Sequence, residues 1–287
     1  VSPDALLVFH GDVRDFLAPG NRADGVVVYP VTRRASIKDV IESLGVPHTE
    51  VDAIEVTDGG GGSGPESDPG PETRRAVDFS YLLAPGDGPD GQARTRIDVR
   101  GVCAPMDLCA PAPLRPVPLP REAFVADANV GRLATYLRLI GWDTRYDPAA
   151  RDADVARIAR EQRRAVLTMD RALLHRSAIT HARLVRAQDP FGQLVEVVRF
   201  FGLRAPGAPF SRCLRCNGVL APVDKAEVLE RLLPLTKKYF DEFHRCPDCG
   251  RIYWQGSHHG HMRAFLERLA RATGDDWLRG PPAGPLP

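Results

Sequence analysis

Four cysteines in two close pairs constrain this chain more than any other feature. Cys213 and Cys216 in "RCLRCNG", and Cys246 and Cys249 in "RCPDCGR", each leave two residues between the thiols, a spacing at which a tight turn aims both sulfurs at one ion. Four thiolates complete a tetrahedron around zinc with no position left open, so the expected site is structural and not catalytic. A redox dithiol, or two unrelated pairs, is the alternative reading. The segment between the pairs is longer than in the shortest modules of this kind, and "AEVLERLLP" predicts a helix inserted there. The remaining cysteines, Cys103 and Cys109, lie in a Pro-rich stretch without such spacing and receive no role.

The rest of the chain divides by composition and pattern. Its 287 residues, 43% hydrophobic and 26% charged, suit two or three small soluble domains. No stretch approaches the roughly 18 consecutive apolar residues of a membrane span, and the N-terminus lacks a basic region followed by an apolar one, so no membrane partner and a cytoplasmic location are expected. A net charge of +1 is neutral on nucleic-acid binding.

Residues 1–102 read as a hairpin, "ALLVFHG" and "GVVVYPV" around a turn at Pro19-Gly20, then a helix, then strands near "AIEV" and "RIDV". In the helix, Ile37, Val40, Ile41 and Leu44 repeat at helical spacing, Ser36 is placed to cap the start and Gly45 to stop it. This order fits a ubiquitin-like β-grasp domain. It does not end in the exposed Gly-Gly tail of sulfur carriers, which disfavours carrier activity. Residues 57–75, rich in Gly, Pro and acidic side chains, are expected to be a disordered insertion, and 103–121 a Pro-rich extended linker.

From 122 to 204 short apolar strands alternate with helices, which implies a parallel sheet covered by helices, an α/β fold. Residues 205–287 hold the cysteine module and a C-terminal helix. In an open parallel sheet, ligands bind beyond the carboxyl ends of the strands, and Asp127, Asp170 and Asp189 each follow a predicted strand. Asp152 and Asp154, in "RDADVARIA", open the second helix at the same end. Clustered carboxylates repel one another and call for a hard cation such as Mg²⁺ or Mn²⁺. Each also has a plain alternative, since Asp152 or Asp154 can simply cap a helix and Asp189, before Pro190, can simply turn the chain. Beside the second cysteine pair, Arg251, Trp254, His258, His259, His261 and Arg263 offer aromatic and basic groups for RNA. Surface histidines, and a Trp254 packed on the cysteine module, are the alternative.

At this point the segments "FVADANVGRLATYLRLIGWDTRY", "AVLTMDRALL", "SRCLRCNGVL" and "FHRCPDCGRIYWQGSHHGHM" resemble the Mut-seven C-terminal RNase family. Motif order and spacing both fit from residue 122 to about 265, and the first 100 residues fit more weakly. The resemblance implies a PIN-like nuclease domain followed by a zinc ribbon and preceded by a ubiquitin-like domain. It further implies that Asp127, Asp170 and one or both of Asp152 and Asp154 bind the metal, with Asp189 a further candidate. This sequence departs from the family at Met169, where an Arg commonly precedes the Asp, and at Tyr136, where Trp is common; neither change removes a carboxylate. The expected activity is a divalent-metal-dependent ribonuclease with structural zinc and catalytic Mg²⁺ or Mn²⁺, with Arg132, Arg138 and Arg171 positioning the RNA backbone. The family alone suggests structured RNA such as tRNA as substrate. The competing function is a non-catalytic RNA-binding adaptor that uses the zinc ribbon and the β-grasp domain.

Overall fold

The structure is a computed structural model that describes residues 4–58, 73–85, 95–204, 209–275 and 277; the side chains of Asp4, Asp58, Thr73, Ser257, His258 and His259 lie outside that description. The chain divides into two compact units, one of residues 1–103, 109–118 and 171–182, the other of 104–108, 119–170 and 183–287.

In the first unit, β1 (Asp4–His10), β2 (Val26–Pro30), β4 (Val51–Asp58), β5 (Thr73–Val77) and β7 (Arg96–Gly101) form a sheet in the order β2-β1-β7-β4-β5. The central pair, β1 with β7, is parallel, and the other neighbours are antiparallel. Alternation in β1 sends Ala5, Leu7 and Phe9 into the core beneath α1 (Ile37–Ser43), which buries Ile37, Val40 and Ile41. Ser36 caps α1, its Oγ accepting from the Asp39 amide at 3.1 Å, and Gly45 ends it at φ +93°. A small ladder joins β3 (Ala35–Ser36) to β6 (Leu82–Leu83). This is the β-grasp order expected from the sequence.

Of the segment expected to be disordered, residues 59–72 lie outside the described residues, but its two ends are strand. Thr57 and Asp58 close β4 against Arg74 and Thr73 of β5. The polar "TRR" concealed an edge strand whose pairing comes from β4 and not from its own apolar pattern. The Pro-rich stretch is likewise no bare spacer. It buries Met106, Leu108, Leu114 and Leu119, and the buried Arg115 donates to the Val51 carbonyl at 2.8 Å and pairs with Asp52.

In the second unit, β8 (Phe124–Ala126), β9 (Thr144–Tyr146), β10 (Ala165–Thr168) and β11 (Ala182–Leu184) form a sheet in the order β11-β10-β8-β9, with β9 and β10 both parallel to β8. Helices α2 (Gly131–Leu139), α3 (Asp152–Glu161), α4 (Arg171–Leu174) and α5 (Pro190–Phe200) alternate with these strands, as the pattern implied; α4 itself clusters with the first unit. β8 and β10 are buried at every position, which is why they read as unbroken apolar runs.

The cysteine-bearing segment adds β12 (Ala221–Val223), α6 (Lys225–Val228), α7 (Pro234–Tyr239), β13 (Phe243–Arg245), β14 (Ile252–Trp254) and α8 (Ser257–Thr273). The last three strands form an antiparallel sheet in the order β12-β13-β14. Where "AEVLERLLP" predicted one inserted helix, the chain forms the short α6, a 3-10 turn over Leu229–Arg231 and then α7 from Pro234, and Val228, Leu232 and Phe243 pack together.

Candidate active site and metal centre

β8 and β10 are the central neighbours from which the sheet grows in opposite directions, towards β9 on one side and β11 on the other. That is the topological switch point at which open α/β sheets bind ligands, and Asp127 and Asp170 follow those two strands. Asp127 is 6% exposed, and the Asp127 amide continues the ladder by donating to the Leu167 carbonyl at 2.9 Å. Its Oδ1 accepts from the Ala128 amide at 2.6 Å, and its Oδ2 accepts from Asn129 Nδ2 at 2.7 Å and from Thr168 Oγ1 at 2.8 Å. The Thr168 hydroxyl also accepts from the Asp170 amide at 2.9 Å, and Asn129 Oδ1 accepts from the Met169 amide at 3.1 Å. Thr168 and Asn129 therefore link the Asp127 carboxylate to the backbone amides of Asp170 and Met169. Neither was assigned a role from the sequence; the signal for Thr168 is a hydroxyl at the end of an otherwise apolar strand.

The other aspartates divide differently. Asp154 accepts from the Arg151 amide at 3.3 Å and pairs with Arg157 at 3.8 Å, so its carboxylate serves the start of α3. Asp152 begins the same helix, half-buried. Asp189 is exposed and caps α5, its Oδ1 accepting from the Phe191 and Gly192 amides at 3.1 and 2.9 Å. Among the described residues, the only three or more Cys, His, Asp or Glu with ligand atoms all within 4.8 Å are the four cysteines. No three of the five aspartates meet that spacing, and two of them, Asp127 and Asp170, directly follow the strands at the switch point. That number is compatible with Mg²⁺, which is commonly held by one or two carboxylates, with water and substrate phosphate completing six positions. Oδ1 of Asp127, with a single donor among the described residues, keeps a lone pair for a cation.

Arginine placements correct one expectation. Arg138 is buried at 2% exposure and does not face a ligand. Its Nε donates to the Thr144 carbonyl at 2.8 Å, and its Nη1 donates to the carbonyls of Leu214 and Arg215 at 3.1 and 2.9 Å. It joins α2 and β9 to the first cysteine turn. Burial pulls its pKa down, and the neighbouring Cys213 and Cys216 sulfurs oppose that pull. Arg132 is exposed. Arg171 is also exposed, its guanidinium 5.1 Å from the centre of the Phe16 ring within the first unit.

The cysteines form the second centre. Cys213 and Cys249 sulfurs lie 3.5 Å apart, Cys216 and Cys246 sulfurs 3.4 Å apart. Tetrahedral ligation at about 2.3 Å requires sulfur separations of about 3.8 Å, so the four sulfurs fit one zinc ion after small adjustments. Each turn closes by the same backbone device. Cys213 donates to Gly218 and Cys246 to Arg251, and the residues after each second cysteine, Asn217 and Gly250, take φ of +75° and +70°. Asn217 also donates to Asp143 at 2.7 Å and accepts from the Thr144 amide at 3.0 Å, so it fastens this turn to β9 alongside Arg138. Burial would raise the Asp143 pKa, but hydrogen bonds from Arg164 and Asn217 hold it below the ordinary carboxylate value.

Burial raises thiol pKa values, pushing Cys216 up to about 12 and Cys246 in the same direction. Against the same penalty, hydrogen bonds from Tyr253 and from the Cys216 and Arg215 amides bring Cys213 down to about 6. Four crowded thiols do not all ionise unaided, and a divalent cation at their centre favours the all-thiolate state. The Tyr253 hydroxyl lies 3.1 Å from Cys213 Sγ and accepts from the Leu214 amide at 3.1 Å. This support for a ligand went unrecognised in the sequence.

Of the proposed RNA contacts in this region, Arg251, His261 and Arg263 are exposed. Trp254 is 38% exposed, with its ring centre 6.3 Å from that of Phe243, so it packs on the module and still presents a face. The His258 and His259 side chains lie outside the described residues. No helix among the described residues is long and apolar enough to cross a membrane.

Residues 122–266 match a family model described as "Mut7-C RNAse domain", and residues 2–67 match one described as "Mut7-C ubiquitin". No curated protein and no solved structure matches the chain.

Proposed function

Since the chain belongs to the Mut7-C RNAse domain family and carries a Mut7-C ubiquitin domain ahead of it, it is a ribonuclease, and we propose that it hydrolyses phosphodiester bonds of structured RNA, such as tRNA, at the rim formed by Asp127 and Asp170. The observation that carries this reading is the hydrogen-bonded link, through Thr168 and Asn129, from the Asp127 carboxylate to the backbone of Met169 and Asp170 at the switch point of the sheet. They would hold Mg²⁺ or Mn²⁺, with Asp152 the next acidic group at that end. When bound, such an ion supplies an activated water and offsets charge developing on the scissile phosphate.

The chain's own groups then have separate tasks. The Asn129 and Thr168 donors hold Oδ2 of Asp127 and so fix its rotamer, leaving Oδ1 to the Ala128 amide and the ion. Arg132 and Arg171 engage the RNA backbone, and Arg251, Trp254, His258, His261 and Arg263 engage it from the zinc ribbon. The zinc ion does no chemistry and holds that ribbon in shape. Asp154 and Asp189 act as helix caps.

The test is cleavage of mixed RNA by the parent, Asp127→Asn and Asp170→Asn in Mg²⁺, Mn²⁺ or EDTA, followed by mapping of the ends. The reading requires cleavage that EDTA abolishes and each substitution lowers by at least about a hundredfold. Cleavage that survives both substitutions rejects the site. RNA binding without metal-dependent cleavage establishes the adaptor instead.

A further inference from the structure

On one face of the antiparallel sheet, the register aligns Pro222 of β12, His244 of β13 and Tyr253 of β14 in a single row. Period-two alternation puts Glu242 and Gln255, two residues from His244 and Tyr253, on that same face. These residues border a cavity of about 340 Å³, walled on its other sides by apolar groups that include Leu139, Val219 and Met262. Tyr253 is fixed by its hydroxyl contacts with Cys213 and Leu214, so part of the floor is held by the cysteine cluster itself.

Resting on the ribonuclease reading, we propose that this cavity beside the zinc site accepts one nucleobase of the RNA substrate. Its volume lies near the lower end of the roughly 300–1,000 Å³ span of ligand pockets, suiting one flat ring system and not a helix about 10–12 Å across. Its lining is mostly apolar, with a ring at the floor on which a base can stack. Its polar lining includes the Glu242 carboxylate, the His244 imidazole and the Gln255 amide, a set that reads a heterocycle edge, beside Ser211 and Arg212, whose guanidinium donates to the Gly141 and Asn217 carbonyls. A carboxylate repels phosphate and accepts from an exocyclic amino group, so Glu242 selects cytosine, adenine or guanine over uracil, which has none. Leu214 and Met262 of the wall each precede an exposed arginine, Arg215 and Arg263, placed to meet the flanking phosphates.

The test uses full-length, zinc-loaded protein in metal-depleted buffer without added Mg²⁺ or Mn²⁺. Probes are the four nucleoside 5′-monophosphates and fluorescein-labelled oligoribonucleotides of C, A or U. Val219→Trp is made at a 58% exposed wall position to fill the cavity, and His244→Ala and Glu242→Gln are made at exposed floor and rim positions. Zinc content is measured for each variant.

The proposal expects oligo-C and oligo-A to bind more tightly than oligo-U. Val219→Trp and His244→Ala, with zinc retained, should each weaken oligo-C binding about tenfold. Glu242→Gln should erase most of the preference over oligo-U. Saturable binding of the monophosphates with the same preference identifies free nucleotide as enough to fill the site, and binding of oligonucleotides alone identifies the RNA chain as required; both support the pocket. Unchanged oligonucleotide affinity and preference in Val219→Trp and His244→Ala overturns it. If cleavage persists in that case, the ribonuclease reading stands without the pocket. A base-selective pocket in a protein that never cleaves RNA instead rejects the catalytic rim alone.

Discussion

Replacing Arg138 by Met should loosen the cysteine module from the parallel sheet without touching a cysteine. The guanidinium is 2% exposed and donates to three carbonyls, of Thr144, Leu214 and Arg215, the last two inside the first cysteine turn. Met fills much of the volume but leaves all three acceptors without that donor, and it removes a positive charge facing Cys213 and Cys216. Hydrogen bonds to charged groups contribute roughly 1.5–3 kcal/mol each, and they do not add fully when they share one side chain; about 3–5 kcal/mol is the expected loss. For a unit of this size that corresponds to a melting temperature lower by roughly 6–20 °C. Calorimetry of the zinc-loaded protein, with zinc release to a chromogenic chelator followed in parallel, measures both consequences. Arg138→Lys should fall between parent and Arg138→Met, because an ammonium keeps the charge and loses the planar fork. A Met variant that melts within about 2 °C of the parent and releases zinc at the parent's rate refutes the reasoning.

Cys246→Ser should lose stoichiometric zinc and the cooperative melting of the C-terminal module, while Asp127-dependent metal binding persists; metal analysis of the purified variant checks the first and Mn²⁺ titration the second. Acidification should release zinc, because the ligands must be thiolates and protons compete for each sulfur; chelator assays from neutral to acid pH show whether release rises as pH falls. In the first unit, hydrogen bonds from Arg96, offset by burial, together with His10, hold Asp98 down to about 2, below the ordinary carboxylate value. A depressed carboxylate stabilises above its unfolded value, and that contribution fades as pH falls from about 4 towards 2. After allowance for the exposed arginines it amounts to on the order of 1 kcal/mol. Asp98→Asn should therefore be less stable in urea at pH 7 and show a flatter loss towards acid; an unchanged midpoint at pH 7 excludes this role.

Local chemistry was legible in the sequence, and chemistry assembled from distant segments was not. The zinc ligands were readable because each pair is completed within one turn, and the helix over Ile37–Ser43 because its cap, apolar face and stop are contiguous. Asp127 and Asp170 were readable as residues ending two buried strands. Arg138 was not, because it occupies a helical position next to Leu137 and Leu139 while its acceptors Leu214 and Arg215 come from more than 70 residues away. Asp189 looked like a member of the rim, since its place after a strand does not distinguish a ligand from a cap; the amides of Phe191 and Gly192 make that distinction. The strand at Thr73–Val77 was hidden because an edge strand can be polar when its partner supplies the ladder.

The most direct test of the catalytic rim is a Mn²⁺ titration of zinc-loaded protein, followed by electron paramagnetic resonance, in the parent and in Asp127→Asn. The account predicts a Mn²⁺ site in the parent that Asp127→Asn loses while zinc content stays at one ion per chain. Equal Mn²⁺ occupancy in both proteins would contradict it.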